Sequence, residues 1–167
     1  MNKSAYPPNE TWLFTSHSEA DTERLGQSVA DVLEPGTVVA LIGHLGAGKT
    51  RLVQAIAVAM GIERKQVNSP TFVLIQEYEG RLPIFHFDAY RMHDSDEFLE
   101  LGADELTAGC GVCLIEWADR VSGVLPADLL RVEIEVEGPT RRAFRFSGSG
   151  PISRAAVFRL PATLRDR

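Results

Sequence analysis

"ALIGHLGAGKTRLVQAI" runs from Ala40 to Ile56, and inside it Gly43 to Thr50 reads G-x-x-x-x-G-K-T. The glycines let the backbone bend so that successive N–H groups face one concavity, and they let a phosphate approach without meeting Cβ atoms. Lys49 adds a full charge for the β- and γ-phosphates, and the Thr50 hydroxyl is spaced to ligate Mg²⁺. Just before the loop, TVVALI (Thr37 to Ile42) is a continuous β-branched and apolar run. Such a run suits a parallel strand buried on both faces. Just after it, Lys49 to Met60 sets Leu52, Val53, Ile56 and Met60 on one side of a helix, with Gly61 past its end. That helix points its N-terminus, with its partial positive charge, at the same concavity.

Working outward, SEADTERLGQSVADVLEPG reads as a helix capped by Ser18, with acids in its first turn and Leu25, Val29, Val32 and Leu33 in one stripe. Strand-like runs follow at Phe72–Tyr78, Leu82–Asp88 and Val112–Glu116, with short acidic helices in DSDEFLELGADELTAG. RVEIEVEGPTRRAFRF alternates apolar and polar residues around Gly138-Pro139, the pattern of an antiparallel pair. The order predicts an α/β layered domain of the P-loop NTPase-like kind, with a mostly parallel or mixed central sheet and helices on both faces. The antiparallel pair is its C-terminal addition. Residues 1–167 fit a single domain. The tail 1–10 and the segment 150–167 are expected to be loosely ordered, apart from a short helix at the end.

Composition narrows the function. The chain is 44% apolar and 24% charged, ordinary for a globular protein. No run approaches the length of a membrane span, and MNKSAYPPNETW offers no signal-peptide core, so a cytoplasmic place is expected. The formal charge of −6 argues against a protein that grips nucleic acid alone, because phosphate neutralisation supplies much of that affinity. If nucleic acid is involved, another subunit should hold it. Cys110 and Cys113 form a lone C-x-x-C without further soft ligands at zinc spacing. Cys113 falls in a buried strand, so core packing is the expected role.

A phosphate loop needs an acid at a neighbouring strand end to organise the metal. Asp88 closes LPIFHFD and Glu116 closes VCLIE. One division makes Asp88 the Walker B-type acid and Glu116 metal-linked or water-orienting; residue spacing leaves the order open. His86 alternates with Phe85 and Phe87 and reads as a sheet histidine rather than a ligand. No N-K-x-D or D-x-x-G segment marks guanine specificity. A small-molecule kinase is the rival class, with Arg81, Arg91 and Arg120 available for an acceptor. Against it, no basic lid stands out, and the acidic stretch from Asp94 to Glu105 would repel an anionic acceptor.

Four segments together resemble the bacterial TsaE family, the ATPase component of tRNA threonylcarbamoyladenosine biosynthesis: GHLGAGKT (43–50), SPTF (69–72), HFDAYR (86–91) and IEW (115–117). DTERLG (21–26) and LELG (99–102) fit the same pattern, and the likeness runs over about residues 15 to 137. The resemblance implies that Gly43, His44, Leu45, Gly46, Ala47, Gly48, Lys49, Thr50 and Arg51 form the ATP/ADP phosphate loop, with Thr50 on Mg²⁺. It implies Thr71 as a switch threonine, Asp88 as Walker B-like acid and Glu116 as metal-linked catalytic acid. Trp117 would pack beside the nucleotide, Thr22 would approach it, and Arg120 would touch phosphate. It further implies slow ATP hydrolysis that drives a complex with the TsaD and TsaB subunits, which hold the tRNA. Two positions depart from the pattern. His44 stands where the family usually carries an acid, which leaves the cradle intact but puts a partner contact through that acid in doubt. Arg51 stands where a second Thr or Ser is common.

Overall fold

The computed structural model describes residues 10–70 and 72–165. Seven strands form one mixed sheet: β1 (Thr11–Ser16), β2 (Val38–Ile42), β3 (Ile75–Glu79), β4 (Pro83–Asp88), β5 (Val112–Glu116), β6 (Leu130–Val136) and β7 (Arg142–Gly148). Their order is β1-β7-β6-β2-β5-β4-β3. The four middle strands, β6, β2, β5 and β4, run parallel to one another, whereas β7, β1 and β3 add antiparallel edges. The sheet is therefore mixed, as its runs of apolar sequence predict.

Among the described residues five α-helices cover it: α1 (Glu19–Val32), α2 (Lys49–Ala59), α3 (Ser95–Glu100), α4 (Ala103–Ala108) and α5 (Pro151–Arg165). Strand alternation sends side chains to two separate cores. On one face Val39, Leu41, Ile84 and Leu114 pack with Leu25 and Val29 of α1, Leu52 and Ile56 of α2 and Leu160 of α5. On the other Val38, Ala40, Phe87, Cys113 and Ile115 pack with Phe98 of α3 and Ala103 of α4.

Two local devices set the angle of the phosphate-loop helix. Ser18 caps α1 by accepting the Asp21 N–H at 3.1 Å, which satisfies one of the unpaired first-turn donors. Gly26 of α1 lies against α2 so closely that a Cβ there would stand 2.3 Å from the Ala55 Cβ. The glycine thus lets the two backbones touch, and α1 becomes a fixed buttress behind α2.

Three elements differ from the sequence expectation. Strand β1 lies outside the runs that the sequence marks as strand-like. Its Trp12 and Phe14 rings pack against Phe146 and Phe144 of β7, with centroids 5.5 and 6.3 Å apart. A partner some 130 residues away supplies the burial that the local polar sequence hides. The strand expected from Phe72 begins instead at Ile75, because Leu74 takes a left-handed φ of 65° and Phe72 is 83% exposed. Finally, within the C-terminal segment Pro151–Arg165 form one helix, α5, of fifteen residues rather than a short helix at the end. The Asp128 carboxylate accepts the N–H groups of Ile152 and Ser153 at its start, and Ala156, Val157 and Leu160 are buried against the sheet and α1. Thr71 and the tail 1–9 lie outside the described residues. Among the described residues no helix is long and apolar enough to cross a membrane.

Candidate functional site

The loop between β2 and α2 carries positive φ at Gly46 (77°) and Gly48 (110°), values that L side chains resist. These two bends curl the loop so that α2 starts at Lys49 with its N-terminus facing the loop's hollow. Lys49 is buried, and its Nζ donates to the carbonyls of Gly43 (2.6 Å) and His44 (2.9 Å). The same ammonium lies 3.9 Å from the Trp117 ring centroid. Burial pushes the Lys49 pKa down from 10.5, although the carboxylates of Glu116, Asp88 and Asp119 work in the opposite direction.

The two acids arrive by strand register. In the parallel β4–β5 pair Asp88 stands opposite Glu116, and in β2–β5 Glu116 stands opposite Leu41, just before the loop. Both carboxyls share the sheet face that α2 covers, since they continue the alternation of Ile84 and Leu114. They are almost wholly buried, at 3% and 2% exposure. Thr50 Oγ1 donates to both carboxylate oxygens of Glu116 at 2.9 Å. Asp88 is held separately: Ser69 Oγ donates to Oδ2 at 2.8 Å and the Tyr90 N–H to Oδ1 at 2.9 Å.

A third polar group stands behind them. His86, fully buried, sets its Nε2 2.8 Å from Glu116 Oε1. Sequence reasoning did not single it out as part of the site. The signal was there in the spacing, because residues two apart on a strand share a face, and His86 is two before Asp88.

Leu45, Gly46, Gly48, Lys49, Thr50 and Ser69, with Asp88, Tyr90, Glu116 and Trp117, line a cavity of about 400 Å³. A second cavity of about 320 Å³ opens on the other side of the loop, between the start of α1 and the β6–β7 turn, and includes Thr22, Arg51 and Thr140. One hollow faces the acids and the other extends toward α1. The first cavity carries the Lys49 cation and the hard oxygens of Thr50, Asp88 and Glu116. That set suits a small dication shared with phosphate oxygens, which needs only one or two carboxylates. Among the described residues no cluster of three or more His, Cys, Asp or Glu is placed to hold an ion by itself.

The model for the family "Threonylcarbamoyl adenosine biosynthesis protein TsaE" matches residues 16–144. The chain belongs to the TsaE family. A tRNA threonylcarbamoyladenosine biosynthesis protein TsaE from Treponema pallidum is 43% identical over 121 residues, which span 72% of this chain and 89% of that one. The Bacillus subtilis TsaE is also 43% identical, over 131 residues covering 78% and 81%. The crystal structure of Bacillus subtilis YdiB superposes with a TM-score of 0.82 at 32% identity, over 95% of this chain and 98% of that one.

Within this TsaE family member the residues singled out from sequence fall into three groups. Lys49, Thr50, Asp88, Glu116 and Trp117 converge on one cavity. Thr22 stands at the second cavity, where it shares a 2.8 Å hydrogen bond with Ser16, and Arg51, paired with Glu19, lines both. Arg120 does not line either hollow; its guanidinium stacks outside, 5.3 Å from Tyr90 and 5.8 Å from Trp117. His44 is exposed and turns to a cleft whose wall carries Asp119, Glu133, Glu135 and Glu137. The Cys113 thiol is buried beside the Leu106 carbonyl, and burial pushes its pKa to about 12, while Cys110 is exposed. An unreactive packing thiol fits the core role expected for Cys113.

Proposed function

We propose that this chain binds ATP with Mg²⁺ in the Gly43–Thr50 loop and hydrolyses it slowly, driving a complex that installs threonylcarbamoyl on tRNA adenosine. The observation that carries the reading is the Thr50 hydroxyl bonded to Glu116, with Asp88 alongside, at the mouth of a glycine-rich loop that opens α2. Loop N–H groups and the helix N-terminus attract phosphate, and Lys49 stands ready to leave the Gly43 and His44 carbonyls for phosphate oxygens. Thr50 and Glu116 would hold Mg²⁺, which supplies charge neutralisation of the phosphates. Asp88, fixed by Ser69 and the Tyr90 N–H, would orient the attacking water. Thr71, two residues after Ser69, would sense the γ-phosphate.

The family membership supports tRNA threonylcarbamoyladenosine biosynthesis as the setting. The partners we assign are the TsaD and TsaB subunits that the sequence resemblance implies. A net charge of −6 suits a subunit that leaves the tRNA to others. The test is ATP hydrolysis by the purified protein, alone and with TsaB, TsaD and tRNA. A low basal rate raised by the partners supports the reading. A rate the partners leave unchanged removes the partner assignment, and phosphate transfer to a metabolite would make the chain a small-molecule kinase.

A further inference from the structure

His86 is a buried histidine whose two ring nitrogens have opposite fates. Nε2 lies 2.8 Å from Glu116 Oε1, while Nδ1 is buried with no hydrogen-bond partner among the described residues. Glu116 Oε1 already accepts the Thr50 hydroxyl. An ionised carboxylate has only acceptors, so Nε2 is the donor in the pair. The orphaned Nδ1 carries a desolvation cost that an aliphatic residue at the same strand position would avoid. Ile84, two residues earlier on the same face, is such a residue. Something other than packing therefore accounts for a histidine here.

We propose that His86 is a positioning residue that fixes the Glu116 carboxylate from behind. Glu116 is the last residue of β5, and its backbone carbonyl is tied to the Ala89 N–H at 3.0 Å. Its side chain is gripped from two directions, by Thr50 of α2 in front and by His86 of β4 behind. Two donors from two elements leave the carboxylate one orientation. The ion and phosphate would then meet a pre-aimed oxygen rather than one that must be ordered on binding, and outer-shell donors of this kind support metal ligands in just this way. The grip also links β4 to β5 at the level where Asp88 and Glu116 sit side by side, so the two acids keep a fixed separation. This inference rests on the reading of Glu116 as an acid that serves bound Mg²⁺.

The test compares H86Q with H86N in the full-length protein. Glutamine carries its amide nitrogen about as far from the backbone as Nε2, whereas asparagine reaches only the place of Nδ1. Two quantities are measured: ADP affinity with and without Mg²⁺, read by calorimetry, and kcat with KM for ATP. H86N is expected to lose about tenfold or more in affinity for ADP with Mg²⁺ and in kcat. Its ADP affinity without Mg²⁺ should stay unchanged, its KM for ATP should rise with the loss of Mg²⁺-dependent affinity, and H86Q should recover most of the loss. On an E116Q background H86N should cost nothing further, because the residue it positions is already disabled. Equal loss in H86Q and H86N, or a full additional loss on the E116Q background, overturns the proposal. H86L, which keeps bulk without a donor, takes the place of H86N with the same expectations if the latter does not fold. If E116Q itself leaves both quantities at wild-type values, the reading of Glu116 fails first. If E116Q loses them and H86N does not, only the role of His86 fails.

Discussion

Thr50→Val removes one hydroxyl and almost no volume, which makes it a clean probe of the pair at the centre of the site. Thr50 Oγ1 donates to both Glu116 oxygens at 2.9 Å, and Glu116 is 2% exposed. A hydrogen bond to a charged group contributes about 1.5–3 kcal/mol to stability. For a chain of this size each kcal/mol moves the midpoint by about 2–4 °C, so T50V should melt about 3–12 °C below wild type. Urea unfolding at pH 7 without nucleotide gives the free energy directly, with an unchanged slope showing that only stability has altered. The decisive form is a cycle with E116L. Coupling between the two substitutions should reach about 1.5–3 kcal/mol, within the range for residues in direct contact. Free energies that add to within about 0.5 kcal/mol would mean that the hydroxyl and the carboxylate do not interact, and the reasoning from their geometry would be wrong. The same variant should also lose the part of MgADP stabilisation that depends on Mg²⁺.

The buried ammonium supplies a second prediction, on pH. Because the folded-state pKa of Lys49 lies below 10.5, its charged form is the costlier one in the fold. That cost is fully present at neutral pH and is relieved as the pH rises through the folded-state pKa toward 10.5. Wild type should therefore gain stability in urea relative to Lys49→Met, without nucleotide, as the pH rises from 7 toward 10.5; a relative loss with pH would contradict this. The same variant should lose nucleotide binding. A third prediction concerns the thiols. Titration with an aromatic disulfide reagent at mildly alkaline pH should find one reactive cysteine, Cys110, in the folded protein and two after unfolding, since the Cys113 thiol is held at about 12. Two fast-reacting thiols in the folded state would place Cys113 outside the core.

Much of this molecule is written locally. TVVALI followed by a glycine-rich turn and an amphipathic run specifies strand, loop and helix, because periodicity, chain flexibility and capping act within a few residues. The same holds for the acids that close β4 and β5, and for the Ser18 cap of α1. Other features depend on partners far along the chain and had no local mark. The TWLFTS strand becomes β1 only because Phe144 and Phe146 of β7 give its aromatic rings a surface to cover. The last helix is long because Asp128 caps it and α1 receives its apolar stripe.

For the site, local sequence carries the inventory: a phosphate-type loop, a lysine, a threonine and two strand-end carboxylates. Their wiring comes from the packing of strands distant in the chain. Glu116 meets Thr50 because β5 lies directly beside β2, while Asp88 on β4 is one strand further out and is held by Ser69 and Tyr90. His86 becomes the back support of Glu116 through the register of β4 on β5. Strand order and register are set by how whole faces bury against each other, a sum over many distant contacts, whereas residue spacing carries only which side of its own strand each residue takes.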